Sequence, residues 1–239
     1  MQGTWLHHSN RKACLLFFAG WGMDPQPFRL LDPGDLDVHM VWDYRHDQGL
    51  EVRRFAGYET LHLVAWSMGV YMSGHLAADF VARLDTAVAI NGTLKPIHDR
   101  YGIPRAAYQT MIQRLDGRQV RDFYARMFMP GEKDRELFFA HQPRRTSRDL
   151  RQELVALQEH YRAHGPGRDI FTVHIASSRD TIFPVRNQRR FWGRHNCRLI
   201  RAGHFPFYTK KTWAWWAGLP ESPGTSTPGI NDGSEPAEQ

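Results

Sequence analysis

The chain has 239 residues, 41% of them hydrophobic, which is enough to bury the core of one α/β domain with an insertion. No apolar run is long enough to span a bilayer, and residues 1–12 lack the apolar middle of a signal peptide, so we expect a cytoplasmic protein without membrane contact. The net charge of +6 at pH 7 favours an acidic partner.

Short apolar runs alternate with helical patterns before residue 95 and after residue 168. Near-continuous apolar character is typical of strands buried on both faces of a parallel sheet. The runs are residues 14–19, 36–42, 61–65, 87–90, 171–177 and 197–200. The predicted fold is an α/β-hydrolase type of open, mostly parallel sheet with helices on both faces. Cys14 and Cys197 lie in two of these runs, so we expect buried free thiols rather than a disulfide.

The middle of the chain has no strand pattern and is predicted to be helical. Apolar residues recur at helical spacing over residues 120–128 and again over residues 150–161. Asp116 and Gly117 indicate a turn between two helices, and the Gly-Pro-Gly of residues 165–167 ends the last one. The segment therefore has a different architecture from the α/β alternation around it.

These patterns divide the chain into a core, a helical cap and a tail. The core is expected to comprise residues 1–94 and 169–217, with residues 95–168 inserted as a cap over an active site. The alternative is a helical decoration that only stabilises the sheet. Residues 218–239 are rich in Pro, Gly, Ser, Thr and acidic residues without periodicity, which predicts a disordered tail.

The apolar run at residues 61–66 stops at Ser67, and a helical pattern follows it. Small residues stand two positions before and after this serine, Ala65 and Gly69. That is the layout of a nucleophile elbow, a sharp turn from strand to helix that exposes a serine hydroxyl at the edge of a sheet. Ala65 replaces the usual glycine at the cost of one methyl group. The alternative is a Ser-Gly pair at an ordinary strand end.

Two further residues follow later strands in an order that suits serine catalysis. Asp180 comes just after the run at residues 171–177, and His204 follows the run at residues 197–200. Both lie on the sheet edge at which open α/β sheets bind ligands, the edge at which Ser67 is expected. A serine hydroxyl needs a base and the base needs an orienting carboxylate, so we predict a Ser67–His204–Asp180 triad. By itself, Asp180 also suits a helix N-cap, and His204 suits a packed loop histidine.

Backbone N–H groups are needed to stabilise the oxyanion of an acyl-transfer reaction. The residue after the nucleophile, Met68, supplies one such group by construction of the elbow. Trp21, between Gly20 and Gly22 in the loop after the first central strand, is predicted to supply the second, with its ring lining the acyl pocket. A nucleotide-binding interpretation of this loop fails because no third glycine follows.

Two other candidates are given structural interpretations. His160 and His164 stand four residues apart on a helix, but no third ligand is evident, so a solvated helix face is favoured over a metal pair. Asp43 ends a strand and is predicted to pair with a neighbouring base or to cap the turn.

Five segments together point to a known family. They are Phe17-Phe18-Ala19-Gly20-Trp21-Gly22-Met23, Trp42-Asp43-Tyr44-Arg45, Ala65-Trp66-Ser67-Met68-Gly69, Ile90-Asn91-Gly92-Thr93 and Gly203-His204-Phe205-Pro206. With them the chain resembles the α/β-hydrolase superfamily over residues 12–217. More narrowly, it is similar to the BioG-type pimeloyl-[acyl-carrier protein] methyl ester esterases.

The resemblance implies hydrolysis of the methyl ester of pimeloyl-[acyl-carrier protein] to the free acid and methanol, in the synthesis of the biotin precursor. It implies Ser67 as nucleophile, His204 as base and acid, and Asp180 as its orienting group. Trp21 and Met68 would form the oxyanion hole, and no metal or organic cofactor would be needed.

The positive charge of the chain is concentrated in the predicted cap. Residues 95–168 hold 15 Lys and Arg against 9 Asp and Glu, whereas the rest of the chain holds 16 of each kind. Because acyl carrier proteins are strongly acidic, some cap arginines are expected to dock the carrier. The candidates are Arg114, Arg118, Arg121, Arg126, Arg144, Arg145, Arg148 and Arg151. The alternative for any one of them is a solvated basic surface.

Two other functions remain open from the sequence. The same triad could act as an acyl thioesterase or a general short-chain carboxylesterase, because fold and triad do not determine the substrate. A non-catalytic basic protein that binds nucleic acid is the least favoured, since the cap aromatics fall at core spacing and so are expected to be buried.

Overall fold

The computed structural model describes residues 1–46 and 50–220, which form a seven-stranded sheet. Its spatial order is β1-β3-β2-β4-β5-β6-β7, and only the β1–β3 pairing is antiparallel. The strands are β1 (Gln2–His7), β2 (Ala13–Phe18), β3 (Leu36–Trp42), β4 (Thr60–Trp66), β5 (Thr86–Ile90), β6 (Val173–Ser177) and β7 (Cys197–Ile200). A mostly parallel sheet with intervening helices confirms the predicted fold class.

The helices lie between the parallel strands, as crossover connections require. They are α1 (Met68–Ser73), α2 (Ala78–Val81), α3 (Arg105–Arg114), α4 (Gly117–Arg126), α5 (Asp134–Ala140), α6 (Ser147–His164), α7 (Val185–Trp192) and α8 (Trp213–Trp216). No helix in the described ranges is both long and apolar enough to cross a membrane.

The central strands are buried along almost their whole length. β2 is buried from Cys14 to Phe18 and β4 from Leu61 to Trp66, since helices cover both faces of the sheet. The sequence patterns locate six of the seven strands. They miss β1, an edge strand whose first residues, Gln2 and Gly3, are exposed and lack the apolar signal of a central strand.

The helical pattern after Ser67 is interrupted in the structure. α1 ends at Ser73 and α2 begins only at Ala78. The carbonyl of Gly74, which a continuous helix would use internally, instead accepts the Arg168 N–H at 2.9 Å. The chain that enters β6 therefore takes the place of the missing turn.

Four helices, α3 to α6, occupy the stretch between β5 and β6. α4 begins at the predicted turn, where the Asp116 side chain accepts the Gln119 N–H at 2.8 Å and caps the helix. α6 ends at Gly165, whose φ of 67° is a left-handed conformation that glycine adopts without strain.

Gly218 and Leu219 are still attached to the fold, because their N–H groups donate to the carbonyls of Trp215 and Ala214 at 3.1 and 2.9 Å. These two contacts lie just past the expected core boundary at 217. The rest of the predicted tail from residue 221 to 239 lies outside the described residues. Cys14 and Cys197 are buried free thiols, as predicted.

Candidate active site

Ser67 occupies a sharp turn between β4 and α1. Its φ of 58° and ψ of −123° are rare for a residue with a side chain and are typical of an elbow that aims a serine outward. The turn is packed directly against the end of β2: a Cβ on Gly69 would overlap the Phe18 carbonyl and lie 2.6 Å from the Ala19 oxygen. The small residue at this position is therefore a steric requirement, as the sequence indicates.

His204 lies in the loop after β7 and reaches back to this serine. Its Nε2 is 3.0 Å from the Ser67 Oγ. Its backbone carbonyl accepts hydrogen bonds from the Trp66 Nε1 and the Asn91 Nδ2, both at 2.8 Å. The backbone of His204 is therefore held by groups at the carboxyl ends of β4 and β5.

Asp180 follows β6 and orients the histidine from the other side. Its Oδ2 is 2.9 Å from the His204 Nδ1 and also accepts the Gln188 Nε2 at 3.0 Å. Its Oδ1 accepts the N–H groups of Ile182 and Phe183 at 2.8 and 2.9 Å. Because α7 begins only at Val185, the Asp180 carboxylate does not cap that helix. It binds backbone N–H groups of the loop between β6 and α7 instead.

The three side chains form one connected, water-poor chain of hydrogen bonds. Ser67, His204 and Asp180 are 5%, 1% and 6% exposed. The His204 ring stacks in parallel on Phe183, with centroids 6.1 Å apart. A hydroxyl next to an imidazole that a carboxylate orients is the arrangement used for nucleophilic attack on carbonyl carbon.

The loop that carries Trp21 passes beside the serine. A Cβ on Gly20 would lie 2.9 Å from the Ser67 Cβ, so only glycine permits this approach. Within the described part of the chain, no protein acceptor is assigned to the backbone N–H of Trp21 or of Met68. Both groups thus have the hydrogen-bonding capacity that an oxyanion hole needs.

The Trp21 side chain is anchored under the helices rather than free in a pocket. Its Nε1 donates to the Leu150 carbonyl at 2.8 Å, and its ring packs edge-on against Phe123 at 4.8 Å. A neighbouring cavity of about 820 Å³ is lined by Phe123 but not by Trp21. The expectation that the Trp21 ring lines the acyl pocket is therefore not met at this cavity.

That cavity lies between α3, α4 and the loop after Asp180. Its wall is largely apolar, and the charged residues at it are Asp122 and Arg126. The main apolar contributors are Ile103, Met111, Leu115, Phe123 and Ile182. Since Thr181 follows Asp180 in the chain and the Ile182 N–H donates to the Asp180 Oδ1, the cavity borders the candidate triad at Asp180.

Seven of the eight candidate docking arginines are exposed on the helices between β5 and β6 or beside them. Arg145 is the exception and a correction. Its side chain is only 6% exposed, is paired with Asp43 at 2.9 Å and Glu153 at 2.6 Å, and lies over the Trp42 ring. A guanidinium enclosed in this way cannot reach a partner protein, so Arg145 has a structural role. Asp43 pairs with neighbouring bases, as predicted.

The histidine pair on α6 is not a purely solvated face. His160 Nδ1 is 2.7 Å from the Tyr71 hydroxyl, and its ring lies 4.9 Å from that of His75, so it packs against α1. Across residues 1–46 and 50–220, no group of three or more His, Cys, Asp and Glu side chains is placed to hold a metal ion.

Three supporting residues were given no role from the sequence. Asn91 holds the His204 loop, Gln188 holds Asp180, and Glu153 lies buried beneath the Trp21 loop. The burial of Glu153 could have been predicted from the sequence. It stands three residues after Leu150 and four before Leu157, so helical spacing places this charged residue on the apolar face of α6.

A family model described as pimeloyl-ACP methyl esterase BioG matches residues 1–217. The chain belongs to the BioG family. The match includes the sheet, all three candidate triad residues and the helices between β5 and β6. The resemblance that the sequence motifs indicated is thereby confirmed.

Solved structures agree with the family and the fold. BioG from Haemophilus influenzae matches with a TM-score of 0.77 and 29% sequence identity, over 91% of this chain and 100% of that one. An enol-lactonase from Burkholderia xenovorans matches with a TM-score of 0.56 and 12% identity, over 87% of this chain and 90% of that one. The second similarity shows the α/β-hydrolase fold alone.

A relative with a different name is also similar. The malonyl-[acyl-carrier protein] O-methyltransferase of Bacteroides fragilis is 34% identical over 201 residues, which are 84% of this chain. This chain spans only 40% of the length of that relative. Membership of the BioG family and the fold together support a hydrolase.

Proposed function

We propose that this protein hydrolyses the methyl ester of pimeloyl-[acyl-carrier protein], releasing pimeloyl-[acyl-carrier protein] and methanol for the synthesis of the biotin precursor. The observation that carries the proposal is the hydrogen-bonded chain from Ser67 through His204 to Asp180, at 3.0 and 2.9 Å, in a member of the BioG family. This is the machinery of ester hydrolysis without a metal or organic cofactor.

The proposed reaction runs through an acyl-enzyme. His204 Nε2 takes the proton of Ser67 as the hydroxyl oxygen attacks the ester carbonyl carbon. The N–H groups of Trp21 and Met68 stabilise the oxyanion, and His204 then protonates the departing methoxide, which leaves as methanol. Water, activated by the same imidazole, attacks the acyl-enzyme and releases the free carboxylate, while Asp180 holds the imidazole in place and stabilises its charged form.

The name of the Bacteroides fragilis relative is compatible with this reaction. That name belongs to a protein more than twice as long as the matched region, and it describes transfer of a methyl group to an oxygen of malonyl-[acyl-carrier protein]. The present chain has a hydrolase fold, so we assign it to the removal of such a methyl group rather than to its addition.

The proposed partner is an acidic acyl carrier protein. Seven exposed arginines lie on or beside α3, α4 and α6, and one of them, Arg126, lines the cavity that borders the candidate triad. They are Arg114, Arg118, Arg121, Arg126, Arg144, Arg148 and Arg151. A basic surface of this kind steers an acidic partner towards the site and sets its orientation. The proposed location is the cytoplasm, which agrees with two free, buried cysteines.

The test is the intact mass of methyl-pimeloyl acyl carrier protein after incubation with the protein and with its Ser67→Ala variant. The proposal expects the mass to fall by one methylene unit with the native enzyme and to stay unchanged with the variant. Loss of the whole acyl group would instead identify a thioesterase, and an unchanged mass with both proteins would reject the proposed substrate.

A further inference from the structure

Glu153 is a fully buried carboxylate beneath the loop that carries Trp21. It lies on α6, is 0% exposed, and each of its oxygens accepts a backbone N–H from the core. Oε1 accepts from Tyr44 at 3.0 Å, and Oε2 accepts from Gly22 at 3.3 Å. Tyr44 and Gly22 belong to the loops after β3 and β2, at the sheet edge where the candidate triad lies. The Glu153 side chain therefore links both loops to α6.

A buried carboxylate is retained at this position only because charged and polar groups compensate it. Burial raises the pKa of Glu153, and the Arg145 guanidinium at 2.6 Å opposes that change. Arg145 also pairs with Asp43, which in turn pairs with Arg45. Arg45 also pairs with Asp149 on α6, so three carboxylates and two guanidiniums form one connected network that anchors the Glu153 side chain.

The same loop is attached to the helices at two more points. The Tyr124 hydroxyl on α4 donates to the Gly22 carbonyl at 2.8 Å, and the Trp21 Nε1 donates to the Leu150 carbonyl at 2.8 Å. Both backbone polar groups of Gly22 are thus bound by side chains of the inserted helices. Gly22 also has a φ of 83°, a left-handed conformation that glycine adopts without strain.

We infer that Glu153 is a positioning residue, which fixes the Gly20–Gly22 loop so that the Trp21 N–H stays directed at the oxyanion of the reaction. The inference rests on the proposed function. An oxyanion donor stabilises charge only when it is held at hydrogen-bond distance before the charge develops.

The test is Glu153→Gln, which keeps the shape but leaves one oxygen to serve two backbone N–H groups. With a p-nitrophenyl ester, kcat is expected to fall on the order of 10- to 100-fold with KM nearly unchanged, because only the transition state uses the displaced donor. Binding of an alkyl trifluoromethyl ketone, which forms a tetrahedral adduct with Ser67, should weaken by a similar factor. Binding of the matching methyl ketone, which stays a ground-state ligand, should not change.

Tyr108→Phe is the matched control. It deletes an equally buried hydroxyl that donates to the Leu154 carbonyl of α6 at 2.8 Å but does not touch the loop. It should leave kcat and KM within about twofold. Tyr124→Phe removes the hydroxyl on α4 that donates to the Gly22 carbonyl, so it should also lower kcat. It serves as the test if Glu153→Gln does not fold.

Three results are decisive. Unchanged kcat in a folded Glu153→Gln protein overturns the inference, and so does an equal loss of affinity for both ketones, which would indicate general disruption of the site. If the native enzyme neither hydrolyses esters nor forms the ketone adduct, the proposed function fails first and the inference fails with it.

Discussion

Ser67 stands in a strained backbone conformation that its surroundings maintain. Its N–H donates to the Ile90 carbonyl at 2.9 Å, which links the turn after β4 to the end of β5. Gly20 and Gly69 allow the turn to lie against the ends of β2 and its loop. Such strain persists because neighbouring contacts determine the turn, and the turn places the Ser67 hydroxyl beside the His204 imidazole.

Gly69→Ala tests how closely the elbow is packed. The added methyl would overlap two backbone carbonyls, so we expect about 3 kcal/mol lower stability and a large loss of kcat. Urea unfolding and ester hydrolysis measure the two effects. In Gly117→Ala the new methyl meets nothing within 4 Å, so this control should raise stability by about 0.5 kcal/mol and leave activity intact. Similar behaviour of the two variants would contradict the packing argument.

The burial of His39 predicts that the stability of the protein depends on pH. It is 2% exposed between Trp5 and Phe55, and burial lowers its pKa from 6.5 to about 4. Between these values the unfolded chain binds a proton that the folded protein does not bind, so stability falls as pH falls from 6.5 towards 4. From pH 7.5 to pH 5 the contribution of His39 is a loss of about 2 kcal/mol.

His39→Leu removes this titration while keeping an apolar side chain of similar size. The free energy of unfolding, measured in urea at pH 7.5 and pH 5, should therefore drop less in the variant than in the native protein. Because His7 and His62 also have lowered pKa values, some loss at pH 5 remains in both proteins. An identical drop in the two proteins would rule out His39 as a source.

At the scale of elements, the candidate site is assembled where neighbouring strands end. β4 leads to Ser67, β6 to Asp180 and β7 to His204, and the turn after β5 supplies Asn91. Asn91, in a left-handed conformation with φ of 48°, bonds both to Ser177 at the end of β6 and to the His204 carbonyl. The Ile-Asn-Gly-Thr segment therefore connects three strand ends.

Asn91→Ala should disturb this connection strongly. It leaves the buried Ser177 N–H without its acceptor, so we expect about 3 kcal/mol lower stability together with a lower kcat. Trp66→Phe removes the second donor to the His204 carbonyl together with part of a buried ring, so about 2 kcal/mol lower stability is expected, with a smaller loss of kcat.

Trp216→Phe is the control for these variants, since it deletes an indole donor to the Lys210 carbonyl at 2.8 Å, outside the His204 loop. It should lower stability like Trp66→Phe while leaving kcat unchanged. If kcat fell equally in both tryptophan variants, the loss would come from disturbed core packing. The donor to the His204 carbonyl would then not be needed for activity.

At the scale of the whole molecule, charge is distributed unevenly. The surplus of basic residues lies in residues 95–168, and most of its arginines are exposed. Exposed ion pairs contribute little stability, so this surplus charge is not needed for folding and is available to attract the proposed acidic partner.

Neutralising four exposed arginines to glutamine tests this interpretation. For Arg118, Arg121, Arg144 and Arg148, we expect KM for the carrier-bound ester to rise about tenfold or more, while kcat/KM for a small free ester is preserved. Raising the salt concentration should raise the native KM in the same direction. The control is the corresponding change at four exposed arginines of the core: Arg11, Arg53, Arg194 and Arg201. Equal effects of the two sets, or equal loss on both substrates, would refute docking through these arginines.

Much of this molecule is readable from the sequence because the responsible forces are local. Buried parallel strands need continuous apolar runs, and a nucleophile turn needs small neighbours, so β2 to β7 and the elbow at Ser67 leave clear patterns. The chain order of Ser67, Asp180 and His204 also follows from the strands that precede them. Their hydrogen-bond distances come only from the folded structure.

Other features depend on contacts between distant parts of the chain. β1 carries little apolar signal and is defined by its pairing with β3. Arg145 looks like its exposed neighbours in sequence, yet Asp43, about a hundred positions earlier, draws it into the interior. Glutamate is usually exposed, and burial of Glu153 is tolerated because its carboxylate accepts hydrogen bonds from the N–H groups of Gly22 and Tyr44. Pattern and spacing therefore determine the elements and the order of the candidate catalytic groups, whereas tertiary structure alone decides which charges are buried, because that depends on the partners that folding brings together.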